Sequence, residues 1–207
     1  MIAATLTANS PAARSGAPEV TSTIVIGSGF SALAVAAELN RQGVKAIVVD
    51  TFCPLKQSAP LQATTGGISL DALSERSEIV RLLEHYARRN SLDIRPETQA
   101  LELTRVHQSV AAQQQWRVHT SNGTLSAHSV VFTRGALSQL GRVLHSMGVT
   151  TATDVRSGMH SLGLYLVGVG DLAIPTTQEI LHQAKRASQS ISTRVAAREL
   201  GTHAVVA

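Results

Sequence analysis

A glycine-containing turn, residues 27–32 (GSGFSA), constrains what this chain can fold into more than any other feature. It has the pattern G-x-G-x-x-A, it follows the apolar run 23–26 (TIVI), and it opens a helix predicted over 31–41. A second apolar run, 46–50 (AIVVD), ends in Asp50 about 20 residues after the turn, the usual distance in a dinucleotide-binding unit. This order predicts a parallel strand–helix–strand unit with a nucleotide site at the turn.

The residues of the turn each have a physical reason to be there. Gly27 allows the sharp bend, Gly29 lets the backbone approach a pyrophosphate, and Ala32 lets the helix pack close to the strand. Phe30 and Ser31 stand in the first turn of the helix, whose free N–H groups favour an anion. We therefore expect these five residues to form a pyrophosphate site. The alternative is a glycine-rich turn that holds no ligand.

Asp50 predicts which nucleotide such a site would hold. Its carboxylate can accept hydrogen bonds from both ribose hydroxyls of an adenosine, and it disfavours a 2′-phosphate. FAD or NAD is therefore favoured over NADP, and the turn by itself does not choose between the two.

The composition favours an α/β fold as well. The chain has 207 residues, of which 43% are hydrophobic but only 3% are aromatic. Its core must be built from Val, Ile, Leu and Ala, as in a parallel sheet covered by helices. We predict one Rossmann-like α/β domain over 21–201, with a parallel sheet and a small antiparallel β-meander at about 97–128, between tails at 1–20 and 202–207.

The periodicity of apolar residues changes along the middle of the chain. Helical spacing predicts a helix over 74–90, and a period of two then predicts short strands joined by an Asn-Gly turn at 122–123. The predicted strands are 92–95, 101–106, 116–120, 124–127 and 129–133.

The distribution of charge, cysteine and apolar residues argues against several kinds of partner, metal site and cross-link. The net charge of +4 is spread thinly, without a block of like charges, so no nucleic-acid partner is expected. Cys53 is the only cysteine, which excludes an intrachain disulfide and a cysteine-based metal site. No apolar run is long enough to span a membrane. We therefore expect a cytoplasmic protein with no metal and no membrane partner.

A second motif lies near the other end of the sequence. The aliphatic run 164–169 leads into Gly170 and Asp171, and a helix predicted over 178–200 follows. This arrangement resembles the second flavin motif of the FAD family that includes glutathione reductase. The resemblance implies that Asp171, with Gly170, bonds the ribityl chain or the pyrophosphate of FAD. The alternative is an ordinary loop aspartate that caps a helix.

The start of that helix carries a capping box, Thr176-x-x-Glu179. In the family that this segment resembles, the helix N-terminus points at the flavin ring. A helix N-terminus stabilises negative charge, which a reduced flavin carries. The resemblance therefore implies that Thr176 and Thr177 lie beside the flavin. His182 is either an acid or base at the flavin edge or a solvated helix residue.

The middle of the chain resembles the flavin-containing monooxygenases. The helix segment 77–87, the strand 92–95 and the meander 116–125 follow the order of that family. Where the family has a strand ending in Ala-Thr-Gly, this chain has Arg134 and Gly135 after the strand. Gly135 matches as a cofactor residue, whereas Arg134 departs from the pattern.

The connection 136–161 departs further from that family. The family carries an NADPH-binding domain at this place, but the connection is shorter than the roughly 30 residues of a βαβ unit and has no second glycine fingerprint. The resemblance is therefore to an FAD domain that lacks its NADPH domain.

These resemblances imply an FAD-dependent oxidoreductase, monooxygenase-like or oxidase-like, that acts on a small organic substrate. The flavin would be reduced by the substrate or by a partner reductase. The alternatives are a non-catalytic FAD-binding subunit of a larger complex and a fragment of an NAD-dependent dehydrogenase. The missing domain would leave apolar surface to be covered, so a homo-oligomer or a complex is expected. No residue is assigned a catalytic role.

Overall fold

The computed structural model describes residues 17–50, 70–106, 115–133, 136, 140, 155–169 and 175–203. The three helices that the sequence predicted, over 31–41, 74–90 and 178–200, are present with ends that agree to within about one turn. The elements, in chain order, are β1 (Glu19–Ile26), α1 (Gly29–Arg41), β2 (Ala46–Asp50), α2 (Leu70–Arg89), β3 (Asp93–Val106), β4 (Gln115–Thr120), β5 (Gly123–Thr133), α3 (Val155–Leu162), β6 (Leu164–Val167) and α4 (Thr177–His203).

The sheet combines parallel and antiparallel strands. β1 pairs in parallel with β2 on one side and with β5 on the other. β3 extends the parallel set beyond β2, and β6 extends it beyond β5. β4 runs antiparallel between β3 and β5, so that β1 to β5 close into a ring. The predicted mixed α/β class is confirmed.

The antiparallel pairings of β3 with β4 and of β4 with β5 fall within the range 97–128 predicted for the meander, but β3 and β5 also belong to the parallel part of the sheet. The predicted strands 92–95 and 101–106 are one continuous strand, β3, and 124–127 and 129–133 are one strand, β5. β3 changes partner along its length, and its register shifts both where it leaves β2 and where it joins β4. Irregularities of this kind bend a strand without ending it. The predicted break between the strands 92–95 and 101–106 is therefore a bend within β3.

Side chains of the parallel strands alternate between two hydrophobic clusters. One cluster packs the sheet against α1 and α4, and it includes Val25, Val131 and Ile191. The other brings together residues from all five strands of the ring, including Ile24 and Trp116. The aliphatic composition therefore builds both layers, as the sequence predicted.

Helix α3 begins within the connection 136–161, for which the sequence predicted no element, and ends at Leu162. Trp116 on β4 fixes its end, because the indole Nε1–H donates a 2.8 Å hydrogen bond to the Leu162 carbonyl. Within the described ranges, no helix is both long enough and apolar enough to cross a bilayer.

Candidate functional site

The glycine turn joins β1 to α1, and both of its glycines have positive φ. Gly27 has a φ of +144° and Gly29 a φ of +73°, which glycine adopts without strain. A Cβ on Gly27 would collide with the side chain of Thr133, at the end of β5. The Thr133 hydroxyl donates a 3.2 Å hydrogen bond to the Ile26 carbonyl. Gly27 is therefore required by the packing of β1 against β5 as well as by the bend.

Gly29 has open surroundings. A Cβ built there would meet no described atom within 4 Å. Ser28 is the N-cap residue of α1, yet in the described structure its side chain makes no capping hydrogen bond, and the first turn carries no acidic residue. The free N–H groups and the positive end of the helix dipole therefore border an open cradle, which suits an anion.

Phe30 and Ser31 belong to the first turn of α1, and both side chains are buried. Phe30 is 5% exposed and packs in the hydrophobic cluster between the sheet and helices α1 and α4. The Arg76 guanidinium lies 5.3 Å from the centroid of its ring. Ser31 is also buried, and its hydroxyl lies against Gly168. The Phe30 ring thus belongs to the core, and its contribution to a ligand site would come from the backbone.

A cavity of about 360 Å³ connects the glycine turn with Asp50. Gly29 and Ala32 border it at one end, Asp50 stands at the end of β2, and the far wall comes from α2 and the start of β3. The carboxyl ends of β1 and β2 therefore open onto one crevice. In α/β sheets this edge is the usual place for a ligand.

The far wall contains charged residues that the sequence analysis did not assign to the site. Glu84 and Arg88 of α2 line the cavity, and their charged groups lie 3.6 Å apart. Arg95 of β3 lines it as well. The sequence did contain a signal for this pair. Glu84 and Arg88 are four residues apart, so they are neighbours on one face of a helix, next to the buried Ala87.

Arg95 is held in place by two carboxylates. Its guanidinium donates to both oxygens of Glu19, at 2.7 and 2.8 Å, and to both oxygens of Asp93, at 2.6 and 2.8 Å. The hydrogen bond from Arg95 lowers the pKa of Glu19 below its ordinary value, and the two carboxylates raise the pKa of Arg95. The Arg95 guanidinium is therefore held by two carboxylates, Glu19 and Asp93, that do not themselves line this cavity.

β6 ends at the same edge of the sheet, beside the first turn of α1. Gly168, the residue after β6, has a φ of +79°. A Cβ there would collide with the Ser31 hydroxyl. The amide N–H of Gly168 donates a 2.8 Å hydrogen bond to Oε1 of Gln183, and Nε2 of Gln183 donates a 3.1 Å hydrogen bond to the Val169 carbonyl. The chain thus leaves β6 next to the glycine turn, held from both α1 and α4.

Three of the predicted site residues, Gly135, Gly170 and Asp171, lie outside the described residues. Their assignment to the cofactor remains a prediction. The described structure does fix the points from which the chain approaches them, namely Thr133 at the end of β5 and Val169 after β6.

The predicted capping box at the start of α4 is confirmed. The Glu179 amide donates to Oγ1 of Thr176 at 3.2 Å, and the Thr176 amide donates to Oε2 of Glu179 at 2.7 Å. α4 begins at Thr177, directly after this N-cap. Gln178 in the same turn donates a 3.3 Å hydrogen bond to Glu75 of α2.

Other chemistry finds little support in the described part of the chain. No group of three or more His, Cys, Asp or Glu residues there could hold a metal ion. His182 is exposed on α4. The large hydrophobic residues that are exposed among the described ones, Val20, Leu82 and Leu101, belong to three different elements.

Comparison with known proteins yields similarity of fold. No protein-family model matches the chain, and no curated protein matches it. Among solved structures, THI4 from Thermovibrio ammonificans aligns with a TM-score of 0.54 at 13% identity, over 85% of this chain and 90% of that one. This match supports the mixed α/β architecture over most of the length.

Two further structures match over a smaller part. The bacillithiol disulfide reductase Bdr (YpdA) from Staphylococcus aureus aligns at 14% identity and a TM-score of 0.39, over 56% of this chain and 39% of that one. A flavin monooxygenase from Stenotrophomonas maltophilia aligns at 18% identity and a TM-score of 0.37, over 56% and 38%. This chain thus spans about two fifths of the length of those two proteins.

Proposed function

We propose that this protein binds FAD and acts as a flavin-dependent oxidoreductase on a small organic substrate. The observation that carries the proposal is that the glycine turn, Asp50 and the end of β6 share one edge of the sheet. A dinucleotide that bridges two distant sequence motifs needs this proximity.

The residues present fit the nucleotide half of FAD. The open space above Gly29 and the uncapped start of α1 suit a pyrophosphate. The cavity continues from there to Asp50, whose carboxylate would accept hydrogen bonds from the ribose hydroxyls. The walls from α2 and β3 would then enclose the adenine.

The flavin half is supported by the second motif. The chain leaves β6 at Gly168, against Ser31, and Asp171 follows within three residues. α4 begins with a capping box at Thr176, and its N-terminal dipole would favour negative charge on a nearby ring. Bound FAD would supply the redox chemistry, while these residues hold and orient it.

The decisive experiment compares two matched glycine variants. Gly29 and Gly43 stand at opposite ends of α1, with φ of +73° and +71°, and a Cβ on either meets open space among the described atoms. Gly29→Ala and Gly43→Ala therefore carry similar backbone strain. We expect only Gly29→Ala to weaken FAD binding, by about tenfold or more, as followed by quenching of flavin fluorescence. Equal FAD affinity in the two variants contradicts the proposed site.

The redox function needs a separate measurement on the FAD-loaded protein. Bleaching of the visible flavin absorbance by NADH, NADPH or candidate organic substrates supports an oxidoreductase. A flavin that photoreduction can bleach, but that none of these compounds reduces, supports the non-catalytic FAD-binding subunit instead. A protein that takes up NAD but no FAD supports the dehydrogenase fragment.

A further inference from the structure

The side chain of Arg76 lies over the ring of Phe30, beside the glycine turn. Its guanidinium carbon is 5.3 Å from the ring centroid. Phe30 directly follows Gly29 in the first turn of α1, and Arg76 belongs to the N-terminal half of α2. The same stretch of α2 contacts the first turn of α4, because Glu75 accepts a hydrogen bond from Gln178. The beginnings of α1, α2 and α4 are therefore linked at the edge of the sheet where the glycine turn opens.

The positive charge of Arg76 has no carboxylate partner within the described residues. The salt bridges there involve Arg41, Arg88 and Arg95. The carboxylate of Glu75, the preceding residue, accepts its hydrogen bond from α4 instead. Arg76 is half-buried, and a cation with reduced access to water gains more from a nearby opposite charge. An anionic ligand would supply that charge.

The contact with Phe30 leaves Arg76 able to bind such a ligand. A cation–π contact attracts the guanidinium to the ring face, but it uses none of the N–H groups as a hydrogen-bond donor to oxygen. These five donors lie in one plane and match the oxygens of a phosphate in pairs. Because the Phe30 side chain is buried in the core, it gives the guanidinium a rigid support.

The position of Arg76 matches the pyrophosphate end of the proposed site. Neither Arg76 nor Phe30 lines the cavity that runs from Gly29 to Asp50, which would hold the adenosine. The N-terminus of α1 offers only about half a positive charge, whereas each phosphate of a pyrophosphate carries a full negative charge. A complete cation next to this helix start compensates the charge that the helix dipole leaves.

We propose that Arg76 binds the pyrophosphate of the dinucleotide, with the Phe30 ring as its support, an inference that rests on the proposed function. The guanidinium donates hydrogen bonds to phosphate oxygens, and the free N–H groups at the start of α1 donate to the same pyrophosphate. Ligands that contain a pyrophosphate should therefore depend on Arg76. Adenosine, which would occupy only the cavity toward Asp50, should not depend on it.

The test compares Arg76→Gln with Arg81→Gln in the full chain. Both variants remove one positive charge from α2, but Arg81 is exposed and lies further along the helix. FAD affinity is measured by quenching of flavin fluorescence, and the affinities for ADP and adenosine by equilibrium dialysis. We expect Arg76→Gln to bind FAD and ADP about ten- to a hundredfold more weakly, as for the loss of a hydrogen bond to a charged group. Its affinity for adenosine should change by less than about twofold, and Arg81→Gln should match the parent protein for all three ligands.

The dependence of ADP binding on salt gives a second readout, which a purely structural role of Arg76 would not move. Added salt screens the attraction between the guanidinium and the pyrophosphate. The parent protein should therefore lose ADP affinity as the NaCl concentration rises, and Arg76→Gln should lose less of it. Arg76→Lys keeps the charge but not the planar group, so this variant should retain more ADP affinity than Arg76→Gln.

The outcomes separate this inference from the proposed function. A parent protein that binds neither FAD nor ADP overturns the proposed site, and the inference with it. If the parent binds both ligands and Arg76→Gln binds ADP equally well, the inference alone is wrong. It is also wrong if Arg76→Gln loses as much affinity for adenosine as for ADP, or if Arg81→Gln loses as much ADP affinity as Arg76→Gln. Arg76→Met keeps an apolar stem against Phe30 and serves the same comparison if Arg76→Gln does not fold.

Discussion

Replacement of Gly27 by alanine tests the packing argument at the centre of the fold. The new Cβ would collide with the Thr133 side chain, and the backbone has a φ of +144°, which L-residues rarely adopt. Strain of this kind costs about 1–3 kcal/mol, and overpacking of a filled core costs about 1–3 kcal/mol more. A less flexible unfolded chain offsets about 0.4–1 kcal/mol. We expect a net loss of about 2–5 kcal/mol in the free energy of unfolding.

Thermal unfolding followed by circular dichroism, without added ligand, measures this loss. A protein of this size loses about 2–4 °C in Tm for each kcal/mol, so the expected decrease is about 4–20 °C. Gly43→Ala is the control, because it shares the positive φ but has open space. This variant should lose about 1 kcal/mol or less in the free energy of unfolding. The backbone strain costs roughly 1–2 kcal/mol, and the reduced flexibility of the unfolded chain offsets part of it.

A double-mutant cycle tests whether the collision with Thr133 causes the destabilisation by Gly27→Ala. Thr133→Ala removes the two atoms of that side chain other than its Cβ, so Gly27→Ala should cost about 1 kcal/mol less in that background. If Gly27→Ala is no more destabilising than Gly43→Ala, or if it shows no coupling to Thr133, the packing argument is wrong.

Three other predictions concern contacts away from the glycine turn. Trp116→Phe removes the hydrogen bond from β4 to the end of α3 and should lower the free energy of unfolding by about 1–3 kcal/mol, whereas unchanged urea denaturation would show that the contact is dispensable. Thr176→Ala removes half of the capping box with Glu179 and should cost about 1 kcal/mol, with Thr176→Ser close to the parent in the same assay. Arg95 lowers the pKa of Glu19 from its ordinary value of 4.5. The stability that the ionised Glu19 contributes is therefore fully present above about pH 4.5. It is lost as the pH falls through the lowered pKa. Glu19→Gln should therefore be less stable than the parent by about 0.5–1 kcal/mol near pH 7, and this gap should close in acid; a gap that widens in acid would contradict the assigned direction.

The sequence was most informative where structure is local. The run 46–50 predicted β2 with the bounds that the structure has, and the pattern at 27–32 predicted the turn and helix that follow β1. The capping box at Thr176 was also predicted, because its two hydrogen bonds join residues three positions apart. In each case the chain segment itself contains both interacting partners.

Individual side-chain contacts between distant segments were not predicted. The collision partner of Gly27 is Thr133, and the partner of Arg95 is Glu19, each far away in the sequence. Gln183 resembles any other polar residue of a helix until the end of β6 is brought against it. The continuity of β3 was missed for a similar reason, since the strand changes partner midway and only the neighbours reveal that it continues.

The pairing of β1 with β5 has a consequence for synthesis of the chain. Ile24 lies beside Val130, so the central strand acquires its second neighbour only after more than half of the polypeptide has been made. While the ribosome is still working, one side of β1 has no partner strand and is open to mispairing with other nascent chains. The glycine turn that follows β1 is thus encoded early but reaches its final packing late. We expect a truncated product that ends before β5 to be recognised by chaperones as an incompletely folded chain.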